Sequence, residues 1–97
     1  MHEFAAEQYL SGADTAAAKR DASIARIAAE QMAREGISIE FVRSIFVPED
    51  ETCIHIYQAD SIEAVREVAA RAALRFDRVS EAITETGYPA GVERDIR

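Results

Sequence analysis

A chain of 97 residues is the size of one domain, long enough for a two-layer core but small enough to gain from a second subunit. With 48% hydrophobic residues it falls outside the disordered class, and 18 acidic against 11 basic residues give a net charge of −7. That field repels phosphate backbones and anionic lipid surfaces, so neither nucleic acid nor membrane is an expected partner.

One cysteine cannot close an intrachain disulfide, which fits a reducing compartment. "MHEFAAEQYLSG" is broken by Glu3, Glu7 and Gln8 and lacks a signal-peptide core, and no uncharged stretch approaches the length of a membrane span. The expected location is the cytoplasm.

In chain order, a first strand is predicted from about Glu3 to Leu10, closed by Ser11-Gly12. A helix follows from about Thr15 to Glu35, with Asp14 as N-cap and Gly36 just past its end. Ala17, Ile24, Ile27, Ala28 and Met32 form its expected apolar stripe. "ISIEFVRSIFV" is β-branched and aromatic and reads as a strand. Pro48-Glu49-Asp50 turns the chain into the return strand "ETCIHIYQ". A second helix is predicted from Asp60, where Asp60 and Glu63 have capping-box spacing, with Val65, Val68, Ala69 and Ala72 inward. A last strand runs from about Arg78 to Thr84. Residues 1–85 thus make one domain and residues 86–97 a C-terminal tail, frayed or lying over a neighbour.

The order βαββαβ predicts an α+β, ferredoxin-like fold: a four-stranded antiparallel sheet, first and third strands central, with both helices on one face. The other face is then bare unless a second subunit covers it.

Period-two alternation sorts the strand residues onto the two faces. Placing Ile54 and Ile56 toward the helices leaves Cys53, His55 and Tyr57 outward, and placing Phe4 and Ala6 inward leaves Glu7 and Tyr9 outward. With a three-residue turn, Val47 opposes Glu51, Ile45 opposes Cys53, Arg43 opposes His55 and Phe41 opposes Tyr57. The expected outer face therefore carries a polar cluster of Glu7, Arg43, Cys53, His55 and Tyr57. Beside it lies an apolar patch of Tyr9, Phe41, Ile45 and Tyr57, the kind of surface that marks a homodimer interface.

Within that face Glu7, Cys53 and His55 are the candidate metal ligands, with His2 and Glu3 as a second group at the terminus. Arg43 opposite His55 would oppose a cation and instead favours a structural network paired with Glu7. There is no Gly-rich phosphate loop, CxxC pair or HExxH, and no catalytic triad can be built on one sheet-face histidine. Arg66, Arg71, Arg75 and Arg78 read as charges complementing the end of the second helix.

Three stretches carry a family resemblance: "AEQYLSG", "GISIEFVRSIFVPEDETCIHIY" and "EAVREVAARAALRFDRVSEAI". In this order they resemble a family of small bacterial proteins, formerly a domain of unknown function, whose best-described type binds nickel. The match covers most of residues 4 to 84 and is strongest from Gly36 to Ile83. The resemblance implies a ferredoxin-like homodimer with surface binding of nickel or another divalent transition metal. Glu7 and Cys53 match positions the family commonly keeps, whereas many relatives have histidine where Arg43 stands. The resulting expectation is a small homodimeric metal-binding or metal-responsive protein without catalysis. The alternative is a dimeric ferredoxin-like enzyme or small-molecule binder with a pocket between helices and sheet.

Overall fold

The computed structural model describes residues 1–12, 14–83 and 85. Its elements follow the expected order: β1 (His2–Tyr9), α1 (Thr15–Arg34), β2 (Ile39–Val47), a 3-10 turn (Pro48–Asp50), β3 (Thr52–Ala59), α2 (Ile62–Ala72) and β4 (Arg78–Ala82). The sheet order is β2-β3-β1-β4 and every neighbouring pair is antiparallel. This is the ferredoxin-like α+β arrangement. The expected end of the last strand at Thr84, and the tail from Thr86 to Arg97, lie outside the described residues.

Local chemistry explains the boundaries. Asp14 caps α1 as anticipated, its carboxylate accepting from the Ala17 N–H at 2.8 Å. Past the other end, Gly36 takes φ +93°, the left-handed region that a side chain would strain. α2 is capped by Ser61, whose Oγ accepts from the Ala64 N–H at 3.2 Å, and not by Asp60. The difference is one residue: Ser61 has the extended backbone of a cap, φ −150° and ψ 155°, and its hydroxyl reaches the N3 amide.

The helix-facing side of the sheet contributes Phe4, Ala6, Tyr57 and Ala59 to a core completed by Ala25, Ala28, Ala29 and Met32 of α1 and Val65 and Val68 of α2. The stripe of α1 is rotated from the expected one. Ala18, Asp21 and Ala25 face inward, whereas Ile27 is 54% exposed. Alanines at the contact let the helix approach closely and leave volume for large side chains from the sheet.

Those side chains correct the face assignment of β3. Cys53, His55 and Tyr57 all have no exposed surface and point toward the helices, while Ile54 and Ile56 lie on the open face. Directly opposed antiparallel residues share a face. Phe4 pairs with Tyr57, Ala6 with His55 and Gln8 with Cys53, so burying the even residues of β1 buries the odd residues of β3.

The hairpin register differs for a related reason. Val47 opposes Thr52, which sets Ser44 opposite His55, Arg43 opposite Ile56 and Ile45 opposite Ile54. A bulge between Phe41 and Arg43 shifts the pairing by one, so Phe41 still opposes Tyr57 as expected.

Candidate functional site

Four side chains from four elements form a buried polar relay between α1 and the sheet. It starts at Asp21, turned inward in the second turn of α1 and itself buried. A carboxylate only accepts, so Gln8 on β1 must present its amide nitrogen to it, and Gln8 Nε2 donates to Asp21 Oδ2 at 3.0 Å. The Gln8 carbonyl is left to face His55 on β3, accepting from Nε2–H at 2.8 Å. That fixes the tautomer: His55 Nδ1 carries a lone pair and accepts from the Ser44 hydroxyl on β2 at 2.5 Å. Arg20 Nε lies 3.4 Å from the other Asp21 oxygen and extends the chain to solvent.

Electrostatics hold the relay in one protonation state. Burial lowers the His55 pKa from its ordinary 6.5 to about 4, with the Asp21 charge acting in the opposite direction. Burial, then the same Asp21 charge, pushes the Cys53 thiol up, partly offset by the Ser44 hydroxyl. Both side chains are therefore neutral at pH 7, and the cysteine is a protonated thiol without the reactivity of a thiolate. Tyr57 is also pushed up, first by burial and then by Cys53, and its buried hydroxyl has no hydrogen-bond partner. Its ring packs edge-on against Phe41 at 5.6 Å between centroids, while Phe76 covers His55 at 5.4 Å.

The open face carries a different set. Glu7 lies there with Arg78 of β4, Oε2 to Nε 3.7 Å, in place of the expected Arg43, which stands two strands away on β2. Ile45 and Tyr9 are 43% and 56% exposed, and Ile54 and Ile56 half-buried, on the same surface. Of the expected apolar patch, Tyr9 and Ile45 are on this face, and Phe41 and Tyr57 are not: both pack with the helix-side core. The expected polar cluster is divided between the two faces, Glu7 and Arg43 on one, Cys53, His55 and Tyr57 on the other.

The ligand candidates are correspondingly separated. Cys53 and His55 are interior, Glu7 is across the sheet, and His2 sits beside Glu81, Nδ1 to Oε2 3.1 Å. Glu3 is on the open face opposite Ala82 and Gln58. Among the described residues no three His, Cys, Asp or Glu side chains converge on a common point. The interior set thus does not fit a divalent metal, while His2 with Glu81 supplies one accessible imidazole and one carboxylate.

Sequence reasoning missed three side chains of the relay, Gln8, Asp21 and Ser44. Asp21 inside a helix stripe of alanines was the available signal, since a lone acid there requires a buried donor. Arg71 stands in the last turn of α2, as its reading as a dipole complement requires, and it also ties the helices together: its guanidinium makes two bonds of 2.8 Å to Glu35 and one of 3.0 Å to Glu67.

No helix among the described residues is long and apolar enough to cross a membrane. No curated protein matches the sequence. The fold is similar to the crystal structure of SCO4226 from Streptomyces coelicolor A3(2), with a TM-score of 0.68 over 87% of this chain and 99% of that one, at 16% identity. That likeness speaks for the fold. The family itself is identified by the sequence: the model described as "Nickel responsive protein SCO4226-like" matches residues 2–82, most of the chain, and the chain belongs to that family.

Proposed function

We propose that this chain is a small homodimeric nickel-responsive protein that binds the ion at its surface and has no catalytic activity of its own. The observation that carries the reading is the family match across residues 2–82. The accessible donors support a surface site. His55 has both ring nitrogens engaged in the core, so His2 is the imidazole free to meet an ion, with Glu81 beside it. Nickel takes imidazole nitrogen, carboxylate and water, so these two donors would leave the remaining positions to water or to a second subunit. Calorimetric titration of nickel into the wild type, His2→Ala and Glu81→Gln tests this. Both variants should weaken binding at least severalfold; unchanged affinity in His2→Ala would overturn the assignment of the site.

The dimer is proposed through the open sheet face. Ile45, Ile54 and Ile56 form its apolar centre, and Glu7 with Arg43 and Arg78 supply both signs of charge around it, as a self-complementary surface requires. Sedimentation of the wild type against Ile54→Glu should show loss of the dimer in the variant.

A further inference from the structure

β4 is one edge of the sheet, and the ladder fixes which of its backbone groups are left over. The Leu10 N–H donates to the Glu51 carbonyl, the next pair of the β1–β3 register, at 2.7 Å. Even residues of β1 therefore turn their N–H and C=O toward β3. Odd ones turn toward β4, as the Tyr9 N–H does in reaching the Asp77 carboxylate at 2.8 Å. Glu3, Ala5 and Glu7 thus bond to Ala82, Ser80 and Arg78, and the N–H and C=O of Val79 and Glu81 point out of the sheet. Neither residue has an outward backbone partner among the described residues. The other edge, β2, carries a bulge, which spoils pairing with a further strand, whereas the β1–β4 register runs without a shift.

A second copy fits this edge by symmetry. Antiparallel pairing of β4 with β4 about a two-fold axis at Ser80 sets Val79 against Glu81 of the second copy, and the reverse, so that the outward groups match. Opposed residues share a face. Val79 packs on the helix side, opposite Ala6, so the incoming Glu81 arrives on that side. There, between α2 and β4, lies an open depression of about 400 Å³ lined by Arg66, Ala69, Phe76, Asp77, Arg78 and Val79. Two of its charges are engaged elsewhere: Asp77 with the Tyr9 N–H and Arg75, Arg78 with Ser80 and Glu7. Arg66 makes no ion pair among the described residues, and it is the cation that the incoming Glu81 meets. The same register carries Ile83, 94% exposed just past β4, over the Phe76–Asp77 end of the depression.

We propose that two copies join edge to edge through β4 into one continuous sheet, Arg66 of each pairing with Glu81 of the other, and that nickel loosens this contact. The second clause rests on the nickel reading above. Glu81 is the carboxylate beside His2, and an ion held there occupies it and repels Arg66 of the second copy. The coupling is reciprocal, so edge pairing weakens nickel binding by the same factor.

Ile54→Glu removes the face contact proposed above and leaves the edge contact to be read alone. Sedimentation is run metal-free and at high concentration, since chains of charge −7 repel. This protein should self-associate. Arg66→Glu and Glu81→Arg, both at exposed positions, should each weaken association at least roughly fivefold, and together should restore it. In isotopically labelled wild type, the Val79 and Glu81 amides should gain protection from exchange as concentration rises, while Ser80, bonded to Ala5 throughout, stays as it is. No association, a double variant no better than the single ones, or protection at Val79 and Glu81 that is independent of concentration would each overturn the edge contact. Nickel should weaken the association severalfold, and should have no effect once His2→Ala is added. Calorimetry separates the two readings: nickel that binds yet leaves association unchanged overturns the coupling, whereas a chain that binds none overturns the nickel site and leaves the edge contact to the charge exchange.

Discussion

Replacing His55 by glutamine removes the one buried imidazole while keeping a side chain able to donate and accept, and the consequence is a change in how stability responds to acid. In the unfolded chain the ring titrates near 6.5, and in the folded chain near 4. Between those values the unfolded state binds more protons than the folded one, so stability falls as pH falls, beginning near 6.5 and levelling below about 4. The difference of roughly 2.5 pH units, at about 1.36 kcal/mol each, makes about 3 kcal/mol the upper size of the effect. Against a total of about 5–15 kcal/mol for a small domain, that is a large share.

Urea denaturation at several pH values from 7.5 to 4 measures it. The wild type should lose stability more steeply than His55→Gln over this window, and the two curves should run parallel above pH 7. Carboxylates titrate in both proteins and cancel in the difference. Glu35, lowered chiefly by its hydrogen bonds from Arg71, and Glu51, lowered by the Gly12 N–H and the Tyr9 hydroxyl, lose their contributions in both. Equal slopes between pH 6.5 and 4.5, or a His55 ring titrating near 6.5 by NMR in the folded protein, would refute the argument that burial dominates.

Further outcomes follow from other contacts. Tyr57→Phe should leave stability unchanged or raise it by up to about 1 kcal/mol, because the hydroxyl is buried without a partner; a loss larger than that in thermal melts would show that it has one. Asp14→Ala removes the cap bond to Ala17 and should cost about 1 kcal/mol in the same assay. Asp21→Asn keeps the shape of the relay but allows its amide to donate, and should lower the His55 pKa further by removing the charge that raises it, as read by NMR. Ile45→Glu, on the open face, should weaken self-association in sedimentation while leaving the monomer's melting behaviour within about 0.5 kcal/mol, as surface changes usually do.

Element order and type were legible because each segment's local chemistry agrees with the fold. Asp14 before an alanine-rich helix, Gly36 after it, and Pro48 between two β-branched runs act over a few residues, and so can be read from a few residues. The open face and its ions were less legible. Alternation divides β3 into two sets without saying which set is buried, and hydrophobicity favoured the isoleucines. The deciding fact is long-range. β1 and β3 pair so that Phe4 meets Tyr57, and this forces Cys53 and His55 inward with it. A slip of one residue would have exchanged the faces.

The inward set is tolerable only because the polar members satisfy one another, and that requirement couples choices far apart in the chain. Burying His55 demands a donor for one ring nitrogen and an acceptor for the other; Ser44 and Gln8 supply them from the two neighbouring strands. Gln8 then needs an acceptor for its amide nitrogen, and the helix answers by turning Asp21, not an isoleucine, toward the sheet. The rotation of α1 that exposes Ile27 is thus the same event as the inversion of β3. The helix turn that would suit the apolar pattern of α1 would leave Gln8 Nε2 without Asp21 in the core, at a cost of about 1–3 kcal/mol. Exposing one isoleucine costs about the same at most, roughly 1.5–3 kcal/mol if it were fully buried to begin with, and Ile27 in this fold retains part of its contact. With those terms nearly equal, the close packing of Ala18, Ala25, Ala28 and Ala29 against the sheet decides the rotation.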